Sequence, residues 1–542
     1  MRMGTFNSNR IFSLLVTPLV VLLSACSNDE LSSISGNSVI YCSEGTPESF
    51  NPQTVTSGMT IDATANQLYN RLITFQGPDN TIGPSLAKSW HVTRDGKKIT
   101  FYLRNDVHFH QTDYFTPTRP LNADDVIFSF NRILYEEHPY HKVSGAQYPF
   151  FQSVEFSNLI ESLERINEYT VRFTLHRADS SILANLATDF AVILSEEYAQ
   201  HLIEHDMTDN IDNFPIGTGP FKLKEYRSGS HIRYVPHEKY WMGPSTLQQL
   251  IFDITPIDTG RLTKLLTGEC DVIAYPIEHE KIIQHPDLKL DEVTSFNVGY
   301  LGFNTLKPPF DNKLVRRAVA HAINKQAILD VIYAGTAEEA TTIIPNTSWA
   351  FDPSIKTPEF SPAKARELLA EAGYNNGFKI ELWAMPVQRS YNPNAEAMAK
   401  LIQADLQRVG IQVVIENSLE WSVFLRRLTL GEHQAVLLGW SADHPDPDNF
   451  LSPLLSCASS MTGNNRTFWC NNEFDKVIQQ SLETTNVLQR KAYYAQALQI
   501  VAEELPLLPI AHAKRFQARA NNIDGQLLNA FGGIDFYKVS KH

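Results

Sequence analysis

Two stretches of the chain carry residue types that could do chemistry. His201-Leu-Ile-Glu204-His205 fits H-x-x-E-H, the inverted zinc-protease pattern, in which two histidines on a helix hold the metal and the glutamate acts as base. Catalysis there needs a third ligand downstream and a helix beside a cleft. The pattern instead follows Ser195-Glu-Glu-Tyr198 and runs into Asp206-Met-Thr-Asp209, which reads as an exposed helix, so a zinc hydrolase through His201, Glu204 and His205 is only a remote alternative. The second stretch is Asp443-His-Pro-Asp446-Pro-Asp448, an acidic, proline-rich turn that by composition alone reads as a solvated loop. The sequence holds no G-x-S-x-G, phosphate-binding Walker loop, H-E-x-x-H or G-x-G-x-x-G. The expectation is therefore a protein that is not an enzyme, with no metal and no cofactor.

The elements that must position these residues show best after residue 300. Ser361-Pro362-Ala363 opens a helix with a capping serine and a first-turn proline. Ala365, Leu368, Leu369 and Ala372 form its apolar face, and Gly373 stops it. Phe378–Trp383 alternates as a strand, Ala395–Val409 is an amphipathic helix, Ile411–Ile415 is a strand, and Ala435–Trp440 reads as a buried strand. Such βα repetition predicts an α/β domain with a mostly parallel sheet. In open α/β sheets ligands sit beyond the carboxyl ends of the strands. Arg389 and Asp443 fall a few residues past two such ends. Earlier in the chain, strands are predicted at 99–104 and 170–175, a capped helix at 122–132, and a tight connector between domains at Ile216-Gly-Thr-Gly-Pro-Phe221.

Length and charge bound the function. At 542 residues the usual prior is three or four domains. The 46 basic and 60 acidic residues leave a net charge of −14, which argues against nucleic acid as a partner. Arg2 and Arg10, the apolar run 11–23 and Ser24-Ala25-Cys26 make an export signal over residues 1–26. The run of 13 residues is too short for a bilayer core that needs about 20. Leu23-Ser24-Ala25-Cys26 also resembles a bacterial lipobox, so lipidation at Cys26 and attachment to the membrane by that lipid alone are expected. Four cysteines then remain in an exported chain, which reads as two disulfides among three possible pairings. Cys457–Cys470 is favoured because it closes a short Gly/Asn/Ser-rich loop, and Cys42–Cys270 follows by elimination.

Tyr41-Cys-Ser-Glu-Gly-Thr-Pro-Glu-Ser-Phe-Asn-Pro-Gln53 resembles the solute-binding proteins of peptide ABC importers, bacterial extracellular solute-binding protein family 5. The resemblance continues through Asn122-Ala-Asp-Asp-Val-Ile-Phe-Ser-Phe130, Tyr140-His-Lys-Val-Ser-Gly145, Trp383-Ala-Met-Pro-Val-Gln-Arg389, Gly431-Glu-His-Gln434 and Asp446-Pro-Asp-Asn-Phe450. Thr259–Asp271, Gly335-Thr-Ala-Glu338, Ser348-Trp-Ala-Phe-Asp352 and Glu504-Leu-Pro-Leu-Leu-Pro509 are more similar to the SapA-like branch, which implies peptide uptake with a contribution to antimicrobial-peptide resistance.

The resemblance implies an α/β periplasmic binding protein of type 2 (cluster C), with two hinged α/β lobes and an extra α+β domain. Lobe I is expected from 38–69, 219–298 and 510–542, the extra domain from 70–218 and lobe II from 299–509, with hinge crossings near 297–304 and 506–512. The implied role is capture of short, dipeptide-like peptides in the periplasm by a monomer, and delivery to an inner-membrane ABC permease. Cationic antimicrobial peptides, haem or another small solute are the alternative ligands. The family's ammonium-holding aspartate falls on Asp443 and its carboxylate-holding arginine on Arg389. Thr56, Ser57 and Gly58 from one lobe, and Gly439, Trp440 and Tyr391 from the other, are the remaining expected ligand contacts.

Overall fold

The expected elements form where capping and periodicity place them. Asn122 caps helix Ala123–Leu134: its side chain accepts from the Asp124 N–H at 2.9 Å, and Asp125 returns the bond to the Asn122 N–H at 2.9 Å. Ser361 caps helix Pro362–Glu371 by accepting from the Lys364 N–H, and Gly373 follows with φ +87°. Strands occupy Phe378–Ala384, Ile411–Glu416 and Ala435–Ser441, with helix Ala395–Gln407 between the first two. The computed structural model describes residues 37–542 apart from 78, 79, 146 and 463. The signal segment and Cys26 lie outside the described residues.

A sheet of twelve strands runs through the described chain. Along it lie Ile411–Glu416, Phe378–Ala384, Ala435–Ser441, Asn297–Phe303, Leu507–Ala520, Val272–Ile273, Ser38–Ser43, Gln249–Ile254, His231–Pro236 and Phe221–Arg227. The three strands predicted at 378–441 are parallel to one another, but Ala435–Ser441 meets Asn297–Phe303 antiparallel, and that strand meets Leu507–Ala520 antiparallel. The expectation of a mostly parallel sheet is therefore corrected. The βα units end at Ala435–Ser441, and beyond it Asn297–Phe303 and Leu507–Ala520 continue the sheet antiparallel.

Leu507–Ala520 explains why residues Asn37–His542 form one compact unit where length alone suggested several. Its first residues pair with Asn297–Phe303, from Gly302↔Leu507 to Gly299↔Ala511. Its last seven pair with Leu288–Thr294, from Thr294↔Lys514 to Leu288↔Ala520. One strand thus serves two regions of sheet, so neither can separate without breaking a shared hydrogen-bond ladder.

Apolar burial divides on either side of that strand. One cluster gathers from Val298 to Ala513, another mainly from Val39 to Ala274, and a small third one surrounds Cys42 and Cys270 with Leu262, Leu265 and Ile282. Both disulfides form, Cys42–Cys270 and Cys457–Cys470. Cys42 reaches a partner 228 residues away because Ser38–Ser43 and Val272–Ile273 are adjacent parallel strands, with Cys42 opposite Ile273. Segment 70–218 supplies a separate four-stranded antiparallel sheet, ordered Ala87–Val92, Lys98–Leu103, Thr170–Leu175, Ile160–Asn167. No helix among the described residues is long and apolar enough to cross a membrane.

Candidate functional site

Strands Phe378–Ala384 and Ala435–Ser441 are parallel neighbours, with Ala384 opposite Leu437, so their carboxyl ends open on the same edge. The loops leaving that edge carry Arg389 and Asp443 into one cavity of about 170 Å³. Thr56, Ser57, Gly58, Tyr391, Gly439 and Trp440 line the same cavity, so every residue expected to touch a ligand converges there. A larger neighbouring cavity of about 990 Å³ shares Asp443 and Asp189 with it.

Asp443 is held by Asn449, the second residue of helix Asp448–Leu455. The Asn449 carbonyl oxygen accepts from the Asp443 backbone N–H at 2.8 Å and from Trp440 Nε1 at 3.2 Å, and its amide donates to Asp443 Oδ2 at 3.3 Å. No lysine or arginine among the described residues pairs with Asp443. Burial pushes its carboxyl up to about 8, opposed by the Asn449 hydrogen bond and aided by the negative charge of Asp189. Near neutral pH this is a protonated carboxyl group, poised to ionise beside a cation.

The rest of the acidic turn is not the solvated loop its composition suggested. Asp446 accepts from Arg490 at 2.8 Å and from the Tyr494 hydroxyl at 3.0 Å. Asp448 is buried and accepts from the Ser452 hydroxyl, and burial pushes it up to about 7. His444 packs outward from the loop onto Asn185, at 3.0 Å. Each of these groups anchors the loop, and Asp443 alone lines the cavity.

Arg389 is 6% exposed and sits in a turn closed by mutual backbone bonds with Asn392. Its guanidinium lies 5.0 Å from the Tyr275 ring centre and 5.7 Å from that of Trp421, a cation between two aromatic faces. Nη1 donates to the Gln388 carbonyl at 2.7 Å and lies 3.4 Å from Glu44 Oε1. Burial by itself would lower the Arg389 pKa, but the negative potential of Tyr275 and Glu44 outweighs it and holds the group above its ordinary value. Arg389 therefore already has a carboxylate partner within the protein, supplied from the loop after strand Ser38–Ser43.

Gly439 has a different use from a simple ligand contact. A Cβ there would fall 2.2 Å from the Tyr391 ring and 2.5 Å from the Val298 carbonyl, and a Cβ on Gly299 would fall 2.2 Å from the Tyr391 carbonyl. These two facing glycines seat Tyr391, whose carbonyl also accepts from the Tyr333 hydroxyl at 2.7 Å. Thr56, Ser57 and Gly58 come from the start of helix Gly58–Leu68, where Ser57 is the N-cap by position. One turn on, buried Asp62 also lines the cavity, pushed up to about 7 by burial and by Glu44, with Arg515 and Arg389 opposing.

Residues that sequence reasoning missed include Glu44, Asp62, Tyr275, Trp421, Asn449 and Arg466. Glu44 and Asn449 stand inside stretches that carried the family resemblance, so the signal was present without a role. Nothing in spacing or composition marks Trp421 or Arg466. The histidine motif lies elsewhere: His201 is in the last turn of the surface helix Glu196–Glu204, and His205 follows that helix with its ring 4.3 Å from that of His201. No group of three or more His, Cys, Asp or Glu gathers as a metal site among the described residues.

Comparison with known proteins bears on this geometry. A solved dipeptide-binding protein from Pseudoalteromonas sp. SM9913, in complex with Met-Leu, is 47% identical with a TM-score of 0.91, covering 93% of this chain and 100% of that one. The dipeptide-binding protein of Escherichia coli K12 is 42% identical over 510 residues, 94% of this chain and 95% of that protein. The peptide transport periplasmic protein SapA of Salmonella typhimurium LT2 is also 42% identical over 510 residues, 94% of this chain and 92% of that protein. The model of the bacterial extracellular solute-binding proteins, family 5, matches residues 81–462, and this chain belongs to that family.

Proposed function

We propose that the protein is a periplasmic receptor of an ABC importer that captures short zwitterionic peptides between its lobes and passes them to an inner-membrane permease. It performs no chemistry on its cargo. The supporting observation is the pairing, in one cavity, of Asp443 without a cationic partner and Arg389 on the same strand-end edge. Relatives named for dipeptide binding give the ligand class.

A zwitterion taken out of water needs both charges met, because each desolvated ion otherwise costs several kcal/mol. Asp443 accepts from the ammonium, while Arg389 receives the carboxylate in competition with Glu44. The extended peptide backbone bonds to main-chain groups beside Gly439 and Ser57, as an added strand does. Lobes 38–69/219–298/510–542 and 299–509 close about the crossings at 297–304 and 506–512, with 70–218 riding as the extra domain. Ligand contacts made only in the shut form drive that closure. The receptor acts as a monomer tethered through a lipid on Cys26.

Isothermal titration of ligand-free protein with Met-Leu, its N-acetyl form and its C-terminal amide tests this reading. Met-Leu binds, acetylation removes binding, and amidation weakens it less. Equal affinity for the free and acetylated peptides would refute the role of Asp443.

A further inference from the structure

Arg466, half-buried at the crevice, differs in its partners from the protein's buried arginines. Arg132 forms a fully buried pair with Asp212 at 3.0 Å, and Arg490 pairs with Asp446 at 2.8 Å. Arg261 has no carboxylate partner, but three backbone carbonyls surround it, at 2.8 to 3.0 Å. Arg466 donates from Nη1 to the Thr429 hydroxyl at 2.7 Å, and no Asp or Glu among the described residues pairs with it. A guanidinium carries five N–H donors, so most of its capacity is unmet by this single hydroxyl.

Tyr300 lies near it, and Trp421, Leu425 and Leu438 line the ligand cavity along with it. Burial pulls Arg466 down to about 10, with Tyr300 opposing. The backbone behind it is rigid. Arg466 lies within the loop closed by Cys457–Cys470. Its carbonyl meets His433 Nε2 at 2.8 Å. Next to it, Asn465 donates to the carbonyls of Ser456 and Trp469 at 3.1 and 2.8 Å. A half-buried cation that lines the crevice with no carboxylate partner among the described residues is placed to receive an anionic group of a ligand.

We infer that Arg466 forms a second carboxylate subsite in the crevice, which selects ligands carrying an anionic group beyond the one Arg389 receives. The subsite rests on the peptide-receptor reading above. It is separate from the Arg389 position: Arg389 packs over Trp421, at the start of helix Trp421–Thr429, and Arg466 bonds Thr429 at its end, about 12 Å along the axis. The carboxylate comes either from an acidic side chain on a dipeptide or from the C-terminus of a tripeptide.

The test titrates wild-type protein and R466Q with Ala-Gln, Ala-Glu, and Ala-Ala-Ala as free acid and amide, with R466K as the charge-retaining variant. In wild type, Ala-Glu binds about tenfold tighter than Ala-Gln, as expected of a charge-assisted hydrogen bond; in R466Q that ratio falls to near one, and in R466K part of it returns. If instead the acid-to-amide ratio of Ala-Ala-Ala collapses in R466Q, the subsite holds a main-chain carboxylate. Identical ratios in wild type and R466Q overturn the subsite while leaving the receptor reading standing. If none of the dipeptides binds wild-type protein, the receptor reading fails and the subsite with it.

Discussion

The two ends of the ligand crevice are built on opposite electrostatic plans. Asp443 faces the cavity without a cation and is pushed up to about 8, whereas Arg389 is already matched by Glu44 and held between Tyr275 and Trp421. A clamp with two equivalent ends would demand both peptide termini equally. On the proposed reading this one demands the ammonium, which supplies a charge that Asp443 lacks, and exchanges one carboxylate for another at the far end. Loss at the first end therefore costs recognition, and change at the second tunes it.

The sharpest way to break this contrast is Asp443→Ala, which should weaken dipeptide binding by roughly a hundredfold or more, read by titration calorimetry, since a buried ammonium is left unpaired. The pH dependence comes next. Below about pH 8 the free Asp443 carboxyl holds a proton that an ammonium must expel, so affinity should rise with pH between about 6 and 8, by up to tenfold per unit. Proton release in buffers of different ionisation enthalpy measures it, and Asp443→Asn should abolish it. The stability effect has the opposite sense: a carboxyl raised on folding favours the folded state at low pH. Ligand-free protein should thus lose thermal stability as pH rises from about 4 to 8, with Asp62 and Asp448 contributing in the same direction.

Smaller changes sharpen the comparison. Asn449→Ala removes the clamp on Asp443 and Trp440 and should cost about tenfold in affinity, because a misplaced carboxylate loses its charge-assisted bond. Glu44→Gln frees Arg389, and the preference for free over amidated peptides should grow about fivefold. An unchanged preference would mean that Arg389 does not meet the ligand carboxylate. Asp448→Ala should leave dipeptide affinity within about threefold and lower Tm by roughly a few degrees, since its carboxyl bonds only inside the loop.

Local chemistry made much of this molecule legible. Asn122 with Asp125, Ser361 with Pro362, and the alternation at 378–383 carry their structure in neighbouring residues, and the elements formed within a residue or two of expectation. The family resemblance singled out Arg389 and Asp443, each just past a predicted strand end, and the parallel pairing of those strands puts both on one edge. The acidic turn misled because three aspartates in six residues look alike in composition. Only packing separates Asp446 on Arg490 and Asp448 on Ser452 from Asp443 in the cavity.

The chain by itself thus determined the helices and strands marked by capping and alternation and the short Cys457–Cys470 link, since these depend on contacts along or near the sequence, whereas Cys42–Cys270 followed from the cysteine count and joins residues 228 apart. Tertiary structure alone decided that Leu507–Ala520 joins two regions of sheet, that Glu44 reaches Arg389 from 345 residues away, and that Arg466 lines the crevice with no carboxylate paired to it among the described residues. The reason is physical. The state of a buried charge is set by everything that replaces its water, and those neighbours come from anywhere in the chain.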